Sequence, residues 1–239
     1  MDTQGFVIEE LPELDNPTFI AGFDGWGNAL NVAKTMAGYL TRKLSAKSIG
    51  KINPDLFYRY DETRPVVRIE EGLLKSVLPP GGKLYASQNS PGGGDLIILR
   101  AHEPNLHWAR FVDDLYGLCG TLGVSRIVTL GSMYDNVLHT DRIVSGIASS
   151  PELLDMIKQE GILPINYFGP SGIHSTIHAE GLKRGFECIS LWCHCPYYLQ
   201  GTTHFGLVSQ LGAILSRLIG FELDTEELED GWRELNKQI

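Results

Sequence analysis

The sequence predicts an α/β fold with a mainly parallel central sheet, and three consecutive features carry that prediction. Leu96, Ile97, Ile98 and Leu99 form a continuous apolar run, preceded by Gly92 to Gly94. Such a run marks a strand buried on both faces. After a short polar loop, Arg100 to Asn105, the period turns helical. Trp108, Phe111, Val112, Leu115, Leu118, Cys119 and Leu122 then share one face, and Gly123 closes the helix. Arg126 to Leu130 is the next buried strand, completing a β-α-β unit.

The other elements follow in order. Thr18 to Gly22 reads as a short buried strand, and Ala29 to Leu44 as a helix striped by Leu30, Ala33, Ala37, Leu40 and Leu44. The turn between them, Phe23-Asp24-Gly25-Trp26-Gly27-Asn28, could aim N–H groups at an anion. It is neither a Walker loop nor a dinucleotide fingerprint, so a tight turn holding Trp26 is the simpler reading. From Ile49 to Gln88 apolar and polar residues alternate between prolines and glycines. Phe57–Tyr60, Pro65–Ile69 and Lys83–Ala86 are expected as short, mixed or antiparallel strands, an inserted β portion. Pro91-Gly92-Gly93-Gly94 precedes its strand and reads as a turn.

Gly131 to Ser149 is expected as a long polar connection. Pro151 starts a helix with Leu153, Leu154 and Ile157. Ile162 to Phe168 is a candidate strand, and a helix follows Gly169-Pro170-Ser171-Gly172 through Lys183, with Ser171 as its N-cap. Cys188 to Trp192 is a further strand and His194 to Thr203 a loop. Phe205 to Ile219 is a strongly apolar helix. A last helix, about 224–238, opens with an Asp224/Glu227 capping box and presents Leu228, Trp232, Leu235 and Ile239. No internal repeat or linker is visible, so residues 1–239 are expected to form one domain.

Hydrophobic content of 43% provides for a full core, and a net charge of −9 argues against nucleic acid or an anionic membrane as a partner. Met1 to Asp15 is acidic without an apolar run, and no stretch reaches membrane-spanning length, so a cytoplasmic location is expected. Cys119, Cys188, Cys193 and Cys195 sit in or beside apolar segments, as reduced thiols do.

The chemistry-bearing residues cluster at strand ends. In open α/β sheets, ligands sit beyond the carboxyl ends of the strands, which places His102, Glu103 and Asn105 at one such edge and Ser132 to Asn136 at its neighbour. His174 and His178 are one helical turn apart, yet lack the glutamate of a zinc-hydrolase helix. Cys193-His194-Cys195 lacks a second ligand pair, so no metal is expected. Gly169-Pro170-Ser171-Gly172 is not the nucleophile elbow, because Ile173 stands where its second glycine would be. His102, His139, Glu103 and Asp135 could supply an acid and a base, but spacing alone selects no pair and no catalytic residue is assigned.

Several stretches together resemble the PAC2 family, the proteasome-assembly-chaperone-2-like proteins, and its bacterial branch most. They are Gly22-Phe23-Asp24-Gly25-Trp26-Gly27-Asn28-Ala29, His102-Glu103-Pro104 with Trp108 and Phe111, and Leu130-Gly131. Val137-Leu138-His139-Thr140, Tyr167-Phe168-Gly169-Pro170-Ser171-Gly172-Ile173, Ser190-Leu191-Trp192 and Pro196-Tyr197-Tyr198-Leu199-Gln200 complete the set. The resemblance spans about residues 18 to 215. It implies a three-layer α/β/α fold, nucleoside-phosphorylase-like in shape, assembled as a homo-oligomer, a trimer among the candidates. It further implies a chaperone-like or scaffolding role with an unidentified protein partner.

The family is sometimes grouped with ATP-grasp ligases, but this chain shows no ATP-binding lysine with paired metal carboxylates, and no cofactor is expected. Archaeal relatives that engage proteasome rings end in a hydrophobic residue, Tyr and one more residue. Lys237-Gln238-Ile239 departs from that ending, so such docking is not expected. Leu138-His139-Thr140-Asp141-Arg142 likewise departs from the Pro-His-Thr-Arg-Pro of bacterial relatives.

Two functions follow as expectations: a non-enzymatic oligomeric interaction protein, or a hydrolase- or phosphorylase-like enzyme acting on a nucleoside or related polar substrate in the strand-end cleft. The cleft candidates are Asp24, Gly25, Trp26, Glu103, His139, Thr140 and Ser171. A deep pocket where Asp24, Glu103, His139 and Ser171 converge would favour the enzyme. Glu103 is expected to be held by N–H groups of the Asp24–Asn28 turn or by His139, because a buried carboxylate must be hydrogen-bonded.

Overall fold

The computed structural model describes residues 5–88 and 93–239. The expected turn at Pro91-Gly92 lies outside the described residues. In chain order the elements are β1 (Phe6–Ile8), β2 (Thr18–Asp24), α1 (Val32–Lys43), β3 (Lys47–Ile52), α2 (Pro54–Phe57), β4 (Val66–Glu70), β5 (Leu73–Leu78) and β6 (Gly82–Ser87). They continue with β7 (Leu96–His102), α3 (Trp108–Thr121), β8 (Arg126–Asp135), β9 (Val144–Ala148), α4 (Pro151–Gln159), β10 (Leu163–Pro164) and α5 (Ile173–Lys183). The last are β11 (Glu187–Pro196), α6 (Phe205–Ile219) and α7 (Glu226–Asn236).

Among the described residues, one sheet holds nine strands in the order β1-β3-β6-β7-β2-β8-β11-β9-β10. Its centre, β7-β2-β8-β11, is parallel throughout. The flanks add antiparallel pairs: β6, β3 and β1 beyond β7, and β9 beyond β11, with β10 parallel to β9 at the edge. Alternation along the central strands divides the core. Ile20, Ile98, Val128, Leu130, Ile189 and Leu191 pack under α1, α4 and α6. Phe19, Ala21, Ile97, Leu99, Ile127 and Cys188 pack on the opposite face under α3 and α5. Both faces are covered by helices, which explains the unbroken apolar runs and makes three layers.

The inserted β portion divides in two. β3 and β6 join the main sheet, whereas β4 and β5 form a separate two-stranded hairpin. Four local expectations are corrected. Phe57 does not open a strand: Pro54 sits at the first helical position, and Asn53 Oδ1 accepts the Asp55 N–H at 3.3 Å, so Pro54–Phe57 is a helical turn. The expected Gly131–Ser149 loop is largely strand, because β8 runs on to Asp135 and β9 occupies Val144–Ala148. Only Leu163–Pro164 of the expected 162–168 strand pairs, since Pro164 cannot donate to the ladder. At α7, Asp224 Oδ1 accepts from Glu226 N at 2.9 Å, while Glu227 binds Arg42 instead of closing a capping box. Among the described residues, no helix is long and apolar enough to cross a membrane.

Candidate functional site

Because β2, β7, β8 and β11 are parallel, their carboxyl ends at Asp24, His102, Asp135 and Pro196 gather along one edge. Past the strands, Glu103 N donates to Asp24 O at 2.7 Å, extending the β2–β7 ladder by one bond. Gly25, at φ +142°, then turns the chain. A Cβ there would lie 3.0 Å from the Glu103 Cβ, so this close approach favours glycine.

The Glu103 side chain bridges two elements. Oε2 accepts from Trp26 N at 3.3 Å, and Oε1 accepts from Ile173 N at 2.8 Å in the first turn of α5. Glu103 is therefore held by the Asp24–Asn28 turn, as expected, and also by a helix N-terminus, where a negative charge is favoured. Ser171 does not cap α5. Gly172 is the N-cap residue and lends no side-chain bond, so the Glu103 carboxylate supplies the acceptor that the helix lacks locally. An incoming anion would have to displace it.

The rest of the turn is bound internally. Asp24 Oδ1 accepts from Asn28 Nδ2 at 3.0 Å and Oδ2 from Lys34 Nζ at 2.5 Å. Burial pushes the Asp24 carboxyl up, but Lys34 and Asn28 together outweigh it and hold the group below the usual range. Asn28 Oδ1 accepts Lys34 N at 3.1 Å, and Ser132 N donates to Gly27 O at 2.8 Å. Burial, aided by the Glu103 charge, pushes up the phenol of Tyr58, whose hydroxyl donates to His102 O at 2.7 Å.

Trp26, 60% exposed, separates two hollows. One, of about 490 Å³, is lined by Asp24, Gly25, Glu103 and Trp108. The other, of about 520 Å³, lies between the ends of β8 and β11 and the 165–172 segment, with Tyr134, Tyr167, Ser171, Trp192 and Tyr197 in its wall. Gly131 faces Trp192 across the strands, and a Cβ on it would fall 2.8–2.9 Å from the indole ring.

His139 and Thr140 are not part of this arrangement. The loop after β8 carries His139 to Tyr198, whose hydroxyl bonds its backbone N at 2.6 Å and its Nδ1 at 2.8 Å. The imidazole packs on Trp232 of α7, and its carbonyl accepts from His204 Nε2 at 3.1 Å. His204 stacks on the same indole at 4.6 Å, and Arg142 pairs with Glu229. This cluster fastens α7, and Thr140 lies exposed beside it. The expected convergence of His139 with Glu103 is corrected on that ground.

His174 and His178 serve the packing of α5. His174 is 1% exposed, and its Nε2 donates to Leu130 O at 3.0 Å. Burial pushes its imidazole down to about 4, and its Nδ1 has no hydrogen-bond partner among the described residues. Cys193 and Cys195 point into the core under α1 and α6, while His194 points to the opposite face, so the three cannot share an ion. Among the described residues, no group of His, Cys, Asp or Glu is arranged to hold a metal. Sequence reading missed the partners of His194. Asp135 and Ser145 meet it across three strands, and only the strand register reveals this.

The fold is a three-layer α/β/α arrangement whose parallel central strands end along one edge. The chain belongs to the PAC2 family, whose profile matches residues 19–239. A PAC2 family protein from Streptomyces avermitilis superposes with a TM-score of 0.83 at 27% identity, covering 92% of each chain. A proteasome-assembly chaperone homologue of Mycobacterium tuberculosis gives 0.82 at 24% identity, covering 93% of this chain and 95% of that one. An archaeal proteasome activator of Pyrococcus furiosus, PbaB, shares the fold at 0.77 and 18% identity, over 97% and 95% of the two chains. Comparison with curated proteins finds no match.

The carboxylate bridge makes a stability prediction. Glu103→Gln keeps one acceptor oxygen but turns an amide NH₂ toward one of the two N–H donors. It is expected to lower stability by roughly 1–3 kcal/mol, as for a lost charge-assisted bond. A reduced urea midpoint at unchanged slope is the check.

Proposed function

We propose that this protein is a bacterial, cytoplasmic PAC2 member that works as a homo-oligomeric interaction protein, of assembly-chaperone or scaffolding type. The observation that carries this reading is the β4–β5 hairpin. Val66, Val67, Ile69, Leu73, Leu74, Val77 and Leu78 are 51–66% exposed on it. Strand residues alternate between faces, so apolar side chains are bare on both. An isolated two-stranded hairpin is marginally stable in water, and apolar surface of this kind marks an interface.

A second copy of this chain is the occupant we assign. The arm carries Arg68 and Lys75 with Glu70 and Glu71, so its charge is balanced and suits self-association. Phe168, Tyr167 and Tyr197, exposed at the strand-end edge, offer further apolar surface to a neighbour. A head-to-tail contact of arm on edge would close a ring such as a trimer. Relatives described as an assembly-chaperone homologue and a proteasome activator support a role through protein contacts. His139 stands apart from the hollow that Asp24 and Glu103 share, and Ser171 lines the other hollow, which also favours this role over an enzyme built on those residues.

The test uses the facing pair Val67 and Val77. Lysine at both positions places like charges opposite one another in the hairpin, where they repel. The V67K/V77K variant is expected to sediment as single chains at micromolar concentration with an unchanged far-ultraviolet circular dichroism spectrum. An assembly of undiminished size would refute the assignment.

A further inference from the structure

The two hollows on either side of Trp26 differ in charge. The smaller one holds Asp24, His102 and Glu103 in its wall. None of the residues lining the hollow of about 520 Å³ is Asp, Glu, Lys, Arg or His, and five of them are Trp or Tyr.

That wall is held in place by its own contacts. The Trp192 indole N–H donates to Ser190 Oγ at 3.0 Å, and Gly27 and Gly131 clear the space for its ring. A Cβ on either glycine would fall within 3.2 Å of the indole. Trp26 meets this indole edge-on, with centroids 6.4 Å apart. Tyr134 and Tyr197 stack at 5.2 Å, and the Tyr167 hydroxyl donates to Pro170 O at 2.7 Å. Three polar groups of the lining residues are left over. The hydroxyls of Ser171 and Ser175 and the Trp26 indole N–H make no hydrogen bond among the described residues.

We propose that this hollow is a binding site for an uncharged, planar aromatic molecule with a hydrogen-bonding edge, such as a lactam- or carboxamide-bearing ring. Its volume lies within the range of small-molecule pockets. Flat rings gain most from a wall of indoles and phenols, face to face or edge to face. Serine hydroxyls both donate and accept, and an indole N–H donates, so together they suit an amide edge. A charged ligand would give up its hydration with no opposite charge in the wall to replace it. The site draws only on side chains that line the hollow, and it does not rest on the hairpin.

The chain's four tryptophans make the test site-resolved. Trp26 and Trp192 line the hollow, Trp108 lines the neighbouring one, and Trp232 lies in α7. Their indole N–H signals, followed by nitrogen-15 NMR on the intact protein, are assigned from single Trp→Phe variants. Titration with 2-quinolone, an uncharged planar lactam, is expected to move the Trp26 and Trp192 signals saturably and leave Trp108 and Trp232 in place. Quinoline-2-carboxylate, similar in shape but charged, is expected to bind at least 10-fold more weakly. Trp26→Ala removes a side chain that is 60% exposed, so the fold stays intact, and is expected to weaken 2-quinolone by about 10-fold. The same titration is run on V67K/V77K. Binding to that variant alone would still establish the site and place a neighbour's arm over it. No saturable shift in either protein overturns the proposal, as do equal affinity for the carboxylate or shifts confined to Trp108 or Trp232. None of these failures bears on oligomerisation, which sedimentation reads separately.

Discussion

Phe111→Ala is expected to destabilise the protein by about 3–5 kcal/mol, a large share of a typical domain's total stability. Phe111 is fully buried on α3, with ring centroids 5.4 Å from Phe6, 6.2 Å from Phe23 and 5.2 Å from Phe57. It is the contact that joins β1, β2 and α2 to the helix of the β7-α3-β8 unit. Alanine would leave a cavity among three aromatic rings that are fixed by their own strands and turns, so little collapse can fill it. The expected readout is a lower urea midpoint with an unchanged slope. Phe111→Leu, which restores much of the volume, is expected to recover more than half of the loss.

Acid is expected to have the next largest effect. Burial pushes His174 and His204 each down to about 4 in the folded protein, against 6.5 for a free imidazole. His204 also accepts the Leu207 N–H on Nδ1 at 3.1 Å, so a proton there would set donor against donor at the start of α6. Above pH 6.5 both imidazoles are neutral in either state and neither affects the balance. As pH falls below 6.5 the unfolded chain binds protons that the folded chain refuses, and stability is lost until about pH 4. A depression from 6.5 to about 4 corresponds to roughly 3 kcal/mol for each histidine. Urea titrations stepped from neutral pH downward should show this decline. His204→Asn, which keeps a capping oxygen and removes one titration, should make the decline shallower.

Where the fold was legible in the sequence, one period dominated. β2, β7, β8 and β11 are buried on both faces and read as unbroken apolar runs, while α3 and α6 present clear helical stripes. The elements that escaped reading lack such a period. β9 is five residues with Gly146 at its centre, and β10 ends on a proline. β4 and β5 carry apolar residues on both faces, and that pattern does not reveal whether the hairpin meets the rest of the chain. Here it does not, and that detachment is the feature from which the proposed function is argued.

The site divided in the same way. Glu103 follows a buried strand beside a glycine turn, and the cost of an unpaired carboxylate was enough to anticipate a donor from the Asp24–Asn28 turn, though not the Ile173 N–H. His139 stands equally close to a strand end, yet Tyr198, His204 and Trp232, all far along the chain, decide where it goes. Ser145, His194 and Asp135 are separated by up to 59 residues, and only the pairing of β8, β11 and β9 makes them neighbours.

The central claim is that the β4–β5 hairpin is covered by a second copy of the chain. Hydrogen–deuterium exchange of residues 66–78, followed over a dilution series, tests it most directly. If the hairpin is an assembly arm, its amides will exchange slowly in the micromolar range and become fast as dilution releases single chains. Fast exchange of the same amides at every concentration, unchanged as the protein is concentrated, would contradict the account.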